Sequence, residues 1–325
     1  MNYDGDRPWV EKYRPTSFND IVSQNLAINN LKDFVDRKNM PHMIFTGPAG
    51  TGKTSTALIV AKAIIKDELY HRNVLELNAS DTVRMSYVRN VIKAFVAQKM
   101  IIGDNSLKVI ILDEADNIPN QVQQALRRII EKYSENVKFI LLCNYINRII
   151  DPIISRCAVF RFTNLSKEKI IERLRMIAVK ENLHIPEKIE AKFYSMLFFI
   201  SGGDLRKAIN TLQMAVALDL IENLNLDEIM QIAGFLDEPT MTNLIKLVKK
   251  RDFENIRGLV ENMEKIDSRN LIRQINGNLK NFNLQEGRYS QLISYFGEID
   301  YKISQGADEK LQIIALLGKI IEHLN

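Results

Sequence analysis

Gly47-Pro48-Ala49-Gly50-Thr51-Gly52-Lys53-Thr54-Ser55 is the stretch on which the fold turns. Its first eight residues spell G-x-x-x-x-G-K-[ST]. An apolar run, His42–Thr46, leads into it and a helical pattern over 53–65 leads out, which is the context a phosphate-cradling loop requires. Glycines let backbone N–H groups curl around phosphate oxygens without Cβ clashes. The helix that follows adds the positive end of its dipole. Lys53 then reaches the outer phosphates, and the Thr54 hydroxyl suits a Mg²⁺ ion.

Working outward, short apolar runs read as strands at 42–46, 74–77, 109–112, 139–142 and 159–162. Helical patterns lie between and around them, at 26–35, 53–65, 85–97 and after Pro119. The 85–97 segment carries Met85, Val88, Val91, Ile92, Phe95 and Val96 at helical spacing. Strands alternating with helices imply an α/β domain with a parallel sheet covered on both faces. From about Ser166 onward the periodicity is helical. Ser166 reads as a helix cap, and Gly202-Gly203-Asp204 as a break that caps a further helix, 205–218. Pro239 reads as part of a linker, 234–239, before a final set of unbroken helices.

Two more strand ends carry chemistry. Val109-Ile-Ile-Leu-Asp113-Glu114 delivers adjacent carboxylates at the end of a strand where ligands bind in open α/β sheets. Asp113 suits the Mg²⁺ shell, and Glu114 suits polarising a water that attacks a terminal phosphate. That pairing separates a triphosphate hydrolase from a mere binder. Asn144, at the end of the next strand, is placed to bond the γ-phosphate or the attacking water.

Composition sets the outer bounds. The chain has 325 residues, 46% hydrophobic and 26% charged, as in globular proteins. No run approaches the roughly 20 apolar residues of a membrane span. The first residues are charged and polar and do not read as a signal peptide. Cys143 and Cys157 have neither CxxC spacing nor histidines around them, so they read as reduced thiols and not as a zinc site. A net charge of +4 is too small to argue alone for nucleic acid.

Several segments resemble the replication factor C family of sliding-clamp loaders. Trp9-Val10-Glu11-Lys12-Tyr13-Arg14-Pro15 resembles its N-terminal box, and Ser155-Arg156-Cys157 its arginine-finger motif. Leu75–Asp81, Asp113–Asp116, Ala125–Arg128 and Gly203–Asn210 fall in the family order. The likeness covers most of 7–220 and continues weakly to the end, and the small subunits of archaeal type are most similar. The resemblance implies an AAA+ core over 1–163, a small helical lid over 164–233 and an all-helical collar over 234–325. It implies binding of ATP with Mg²⁺. Val10, Tyr13, Arg14 and Val22 would surround the adenine and ribose, and Arg206 would reach the γ-phosphate. Arg156 would act in trans on ATP held by the next subunit. The implied partners are a PCNA-type clamp, a large subunit, further small subunits in a pentameric ring, and primer–template DNA. The implied location is the cytoplasm, or the nucleus if the chain is eukaryotic. The sequence departs from the family at Ala49, where proline is usual, and at Thr82-Val83-Arg84, where Glu-Arg-Gly is usual. No DNA contact is carried over to that turn.

Arg89 and Lys93 lie four residues apart, opposite the apolar stripe of their helix, and Arg148 follows Asn144 in a short basic loop. They suit a phosphate backbone read without base specificity, and equally a solvated helix face. The resemblance favours DNA. Three other readings stand beside the loader: a branch-migration motor, which would more often end in a winged helix with strands; a non-catalytic scaffold subunit; and a P-loop small-molecule kinase.

Overall fold

In the computed structural model the described residues are 7–37, 39–79, 85–98, 107–221, 225–263, 267–282, 284 and 287–324, the side chains of 85–89 excepted. The chain forms two compact units, Met1–Leu183 with Ser201–Asn210, and His184–Ile200 with Thr211–Asn325.

The first unit is built on a five-stranded sheet of order β2-β3-β4-β1-β5. The strands are β1 (His42–Thr46), β2 (Val74–Asn78), β3 (Lys108–Asp113), β4 (Val137–Cys143) and β5 (Cys157–Arg161). Every pairing is parallel. Alternate residues of one strand serve opposite faces, as the period of two demands. Met43 and Phe45 pack with Ala27, Leu31, Ala57 and Val60 on one face. Ile44 packs with Ile92, Phe95, Leu126 and Ile130 on the other. The covering helices are α2 (Asn25–Asp36), α3 (Lys53–Ile64), α5 (Met85–Ala97) and α6 (Asn120–Lys132). The short helices α1 (Trp9–Lys12), α4 (Tyr70–Asn73) and α7 (Asp151–Ile154) lie in the connections, and α8 (Lys167–Lys180) follows the sheet. The Ser166 side chain accepts from Lys169 N–H, which makes it the cap the sequence suggested.

Register decides where the chemistry gathers. Thr46 pairs with Cys143, and Asn78 with Asp113, so the loops after β1, β3 and β4 leave the sheet at one edge. That edge is the carboxyl end of a parallel sheet, where open α/β folds bind ligands.

The second unit contains α9 (Glu187–Ser201, all but its last residue), the latter part of α10 (Leu205–Ala217), α11 (Leu226–Ile232), α12 (Glu238–Lys249), α13 (Phe253–Glu261), α14 (Ser268–Gly277), α15 (Tyr289–Ser304) and α16 (Glu309–Glu322). Leu244, Val248, Ile275, Phe282, Leu316 and Leu317 form the heart of its core. Among the described residues it has no strand, only one isolated bridge, Leu284 to Leu324. Pro239 is not linker. It stands in the first turn of α12, behind the Asp237 cap, where the N–H it lacks has no intrahelical acceptor.

Candidate functional site: a triphosphate cradle

The loop before α3 is shaped by two close approaches. A Cβ on Gly47, whose φ is +148°, would stand 2.0 Å from the Phe162 carbonyl oxygen. One on Gly50, at φ +69°, would stand 1.8 Å from Asp204 Oδ1. Only glycine allows both contacts. Asp204 caps α10, accepting from the N–H groups of Arg206 (2.8 Å) and Lys207 (3.1 Å). The start of α10 is thereby seated on the cradle, which brings Arg206 into the same cavity as Gly50 and Thr51.

Lys53 is buried and donates to the carbonyls of Gly47 (2.6 Å) and Pro48 (2.8 Å) and to Asn144 Oδ1 (3.0 Å). Burial lowers its pKa, opposed by the charges of Asp113 and Asp116. The Thr54 hydroxyl donates to Asp113 Oδ2 at 2.9 Å. Asp113 Oδ1 accepts from the N–H of Glu114 at 2.8 Å. Glu114 has φ +53°, a left-handed conformation that costs a non-glycine residue about 1–2 kcal/mol. Its Oε2 accepts from Asn117 Nδ2 at 3.1 Å.

The arrangement fits a nucleoside triphosphate with Mg²⁺. The space beside Gly52 is open, with no atom within 4 Å of a notional Cβ. One hydroxyl and one carboxylate stand together at Thr54 and Asp113, and Mg²⁺ takes one or two such ligands besides substrate phosphates. Among the described residues no cluster of three or more His, Cys, Asp or Glu offers a metal site held by protein alone.

Val10, Tyr13, Arg14 and Val22 line the cavity that Gly50, Thr51, Gly52 and Ser55 also line, so the N-terminal box and the cradle share one space. Arg156 stands elsewhere. Its guanidinium pairs with Glu131 Oε1 (2.7 Å) and donates to the Pro152 carbonyl (2.7 Å), and it is exposed. Lys93 is exposed on α5, and the Arg148 guanidinium lies 5.1 Å from the centre of the exposed Tyr145 ring. The side chain of Arg89 and the residues Ser80–Arg84 lie outside the described residues.

Several positioning groups escaped sequence reasoning. Asp116 is buried, and its Oδ2 accepts from the N–H groups of Asn144 (3.2 Å) and Tyr145 (3.1 Å), which fixes the turn that aims Asn144 at Lys53. Gln123 donates to the carbonyls of Ile118 (2.8 Å) and Arg148 (2.9 Å) and accepts from Ile150 N–H (2.9 Å). Its signal was a polar residue on the apolar stripe of Leu126 and Ile130. Lys108 buries its ammonium to cap α5, donating to the carbonyls of Phe95 (2.6 Å) and Gln98 (2.9 Å). A lysine opening a buried strand was the visible sign. Gln24 bonds both backbone groups of Thr163, which anchors the Ile21–Val22 wall to the exit of β5. Both cysteines are free, and burial pushes the Cys157 thiol up to about 12.

Sheet, cradle and paired carboxylates together define a P-loop ATPase of the AAA+ class. Residues 43–165 match the ATPase family associated with various cellular activities (AAA), and residues 237–319 match the replication factor C C-terminal domain. The replication factor C small subunit of Archaeoglobus fulgidus is 42% identical over 314 residues, which covers 95% of this chain and 96% of that protein. That of Methanothermobacter thermautotrophicus is 40% identical over 323 residues, 97% and 98% of the two chains. The chain belongs to the replication factor C small-subunit family. Among solved structures, the Thermotoga maritima RuvB Holliday junction branch migration motor matches with a TM-score of 0.54 at 16% identity, over 86% of this chain and 98% of that one. At that identity the likeness speaks for the AAA+ fold alone.

Proposed function

We propose that the chain is an ATP-hydrolysing subunit of a ring that opens a PCNA-type sliding clamp and places it on primed DNA. Its working parts are a core over 1–163, a lid over 164–233 and a collar over 234–325. The ring is a pentamer with a large subunit and further small subunits, and its place is the cytoplasm. Among the described residues no helix is long and apolar enough to cross a membrane.

The chemistry follows from the groups at the sheet edge. Lys53 neutralises the β- and γ-phosphates, and Asn144, already bonded to it, bonds the γ-phosphate or the attacking water. Glu114, released from Asn117, takes the proton of that water. Thr54 and Asp113 would hold Mg²⁺, which would supply positive charge against the phosphates. Arg206 closes on the γ-phosphate from the start of α10. Arg89, Lys93 and Arg148 follow the DNA backbone. The observation that carries the reading is Arg156, which pairs with Glu131 in a chain whose own cradle already holds Lys53, Asp113, Glu114 and Asn144. An external guanidinium completes such a site only when subunits close on one another.

The test is ATP turnover by the assembled loader with and without clamp and primed DNA. Stimulation by the two together is expected. A rate indifferent to both would contradict the loader assignment and leave a solitary ATPase.

A further inference from the structure

Tyr13 stands in the cavity wall beside Arg14 and Pro15, facing Gly50, Thr51 and Ser55. It is held from a distant part of the chain. Arg173, in the middle of α8, donates to the Tyr13 carbonyl at 2.7 Å. Glu181, which caps the far end of α8, accepts from the Tyr13 hydroxyl. Lys12 shares the same carboxylate oxygen at 2.7 Å, and Lys180 lies 5.8 Å from the ring centre. Tyr13 is buried, and burial together with Glu181 raises its pKa, so the phenol remains a donor. The helix before it, α1, has four residues, too few to hold itself in place. The wall therefore takes its position from α8.

We propose that Glu181 is a positioning residue for the nucleoside half of ATP, fixing through Tyr13 the wall against which base and ribose lie, and that Arg173, itself in the lining of that cavity, holds the Tyr13 carbonyl in the same wall. The inference rests on the cavity being the nucleotide site. It adds a division of labour: the phosphates are held by Lys53 and its loop, and the nucleoside by a segment that α8 keeps in register.

The division makes the test specific. ATP and inorganic tripolyphosphate, each with Mg²⁺, share the phosphates and differ in the nucleoside. In the full chain, Glu181→Ala should raise the Kd for ATP about tenfold, the scale of a hydrogen bond to a charged group. It should leave the Kd for tripolyphosphate unchanged, and KM should rise while kcat stays within about twofold. Glu181→Gln keeps an acceptor for the Tyr13 hydroxyl and should restore ATP affinity. Arg173→Met should show the same split as Glu181→Ala. Tyr13→Phe should weaken ATP binding, and adding Glu181→Ala to it should cost little more. Equal loss of both ligands, or no loss of either, overturns the inference. A wild-type chain that binds neither ligand overturns the nucleotide-site reading, and the inference with it.

Discussion

Lys53 spends its three protons on two loop carbonyls and Asn144. Phosphate oxygens are better partners for this ammonium than carbonyls, because their negative charge adds ion–ion attraction to the hydrogen bond. Lys53→Ala should therefore abolish tight ATP binding, whereas Glu114→Gln should bind ATP and lose most hydrolysis, since an amide cannot take the water's proton. Native turnover by Glu114→Gln, measured beside equilibrium ATP binding, would remove Glu114 from its role. His42 gives a second prediction. Burial first, and Lys138 second, lower its pKa from 6.5 to about 4, and its Nδ1 accepts the Phe139 N–H. The folded value lies below the unfolded one, so the unfolded chain takes up the proton first. Stability should be full above the unfolded value and fall by about 3 kcal/mol as pH drops towards the folded one. His42→Gln, which keeps an acceptor and does not titrate, should flatten that part of a denaturation-versus-pH curve. An unchanged slope would place the acid sensitivity elsewhere. The legible residues were those that a strand end presents: Lys53, Thr54, Asp113, Glu114 and Asn144. Asp204 against Gly50, and Glu181 on Tyr13, were not legible, because such contacts join segments more than 150 residues apart and leave no local pattern.

At the scale of elements, apolar runs and helical spacing were enough to find the five strands and the helices that cover them, because burial on both faces of a parallel sheet writes itself into apolar runs, whereas the four-residue helices α1, α4 and α7 are too short to show a period. Ends were less legible. β3 begins at Lys108, outside its apolar run, because that lysine has a helix end to cap. Pro239 misled in the other direction, since proline marks a linker and a helix's first turn alike. The α12, α13, α14 and α16 helices each start behind an aspartate that accepts from the N–H three residues on, at Asp237, Asp252, Asp267 and Asp308. Each such cap is worth about 1 kcal/mol. The element whose function most needs testing is α5, with the loop that carries Arg148. Replacing Arg89, Lys93 and Arg148 together by alanine should weaken primer–template binding for all sequences alike. It should also flatten the salt dependence by about one unit of slope per lost phosphate contact. A salt slope equal to wild type would return these residues to an ordinary solvated surface.

At the scale of the molecule, the central claim is that a complete phosphate site in one chain waits for a cation from the next. Arg156→Ala leaves Lys53, Thr54, Asp113 and Glu114 untouched. The isolated variant should bind ATP as wild type does, and rings made with it should lose on the order of a thousandfold in DNA-stimulated turnover. Loss of the finger and loss of the cradle should complement each other, since one variant keeps the site and the other keeps the cation. The measurement is ATP turnover, with clamp and primed DNA, across mixing ratios of Arg156→Ala and Lys53→Ala subunits in rings whose mixed assembly has been verified. A shared active site predicts activity that rises above the weighted average of the two variants and peaks at intermediate ratios. Activity that tracks the weighted average at every ratio would contradict it.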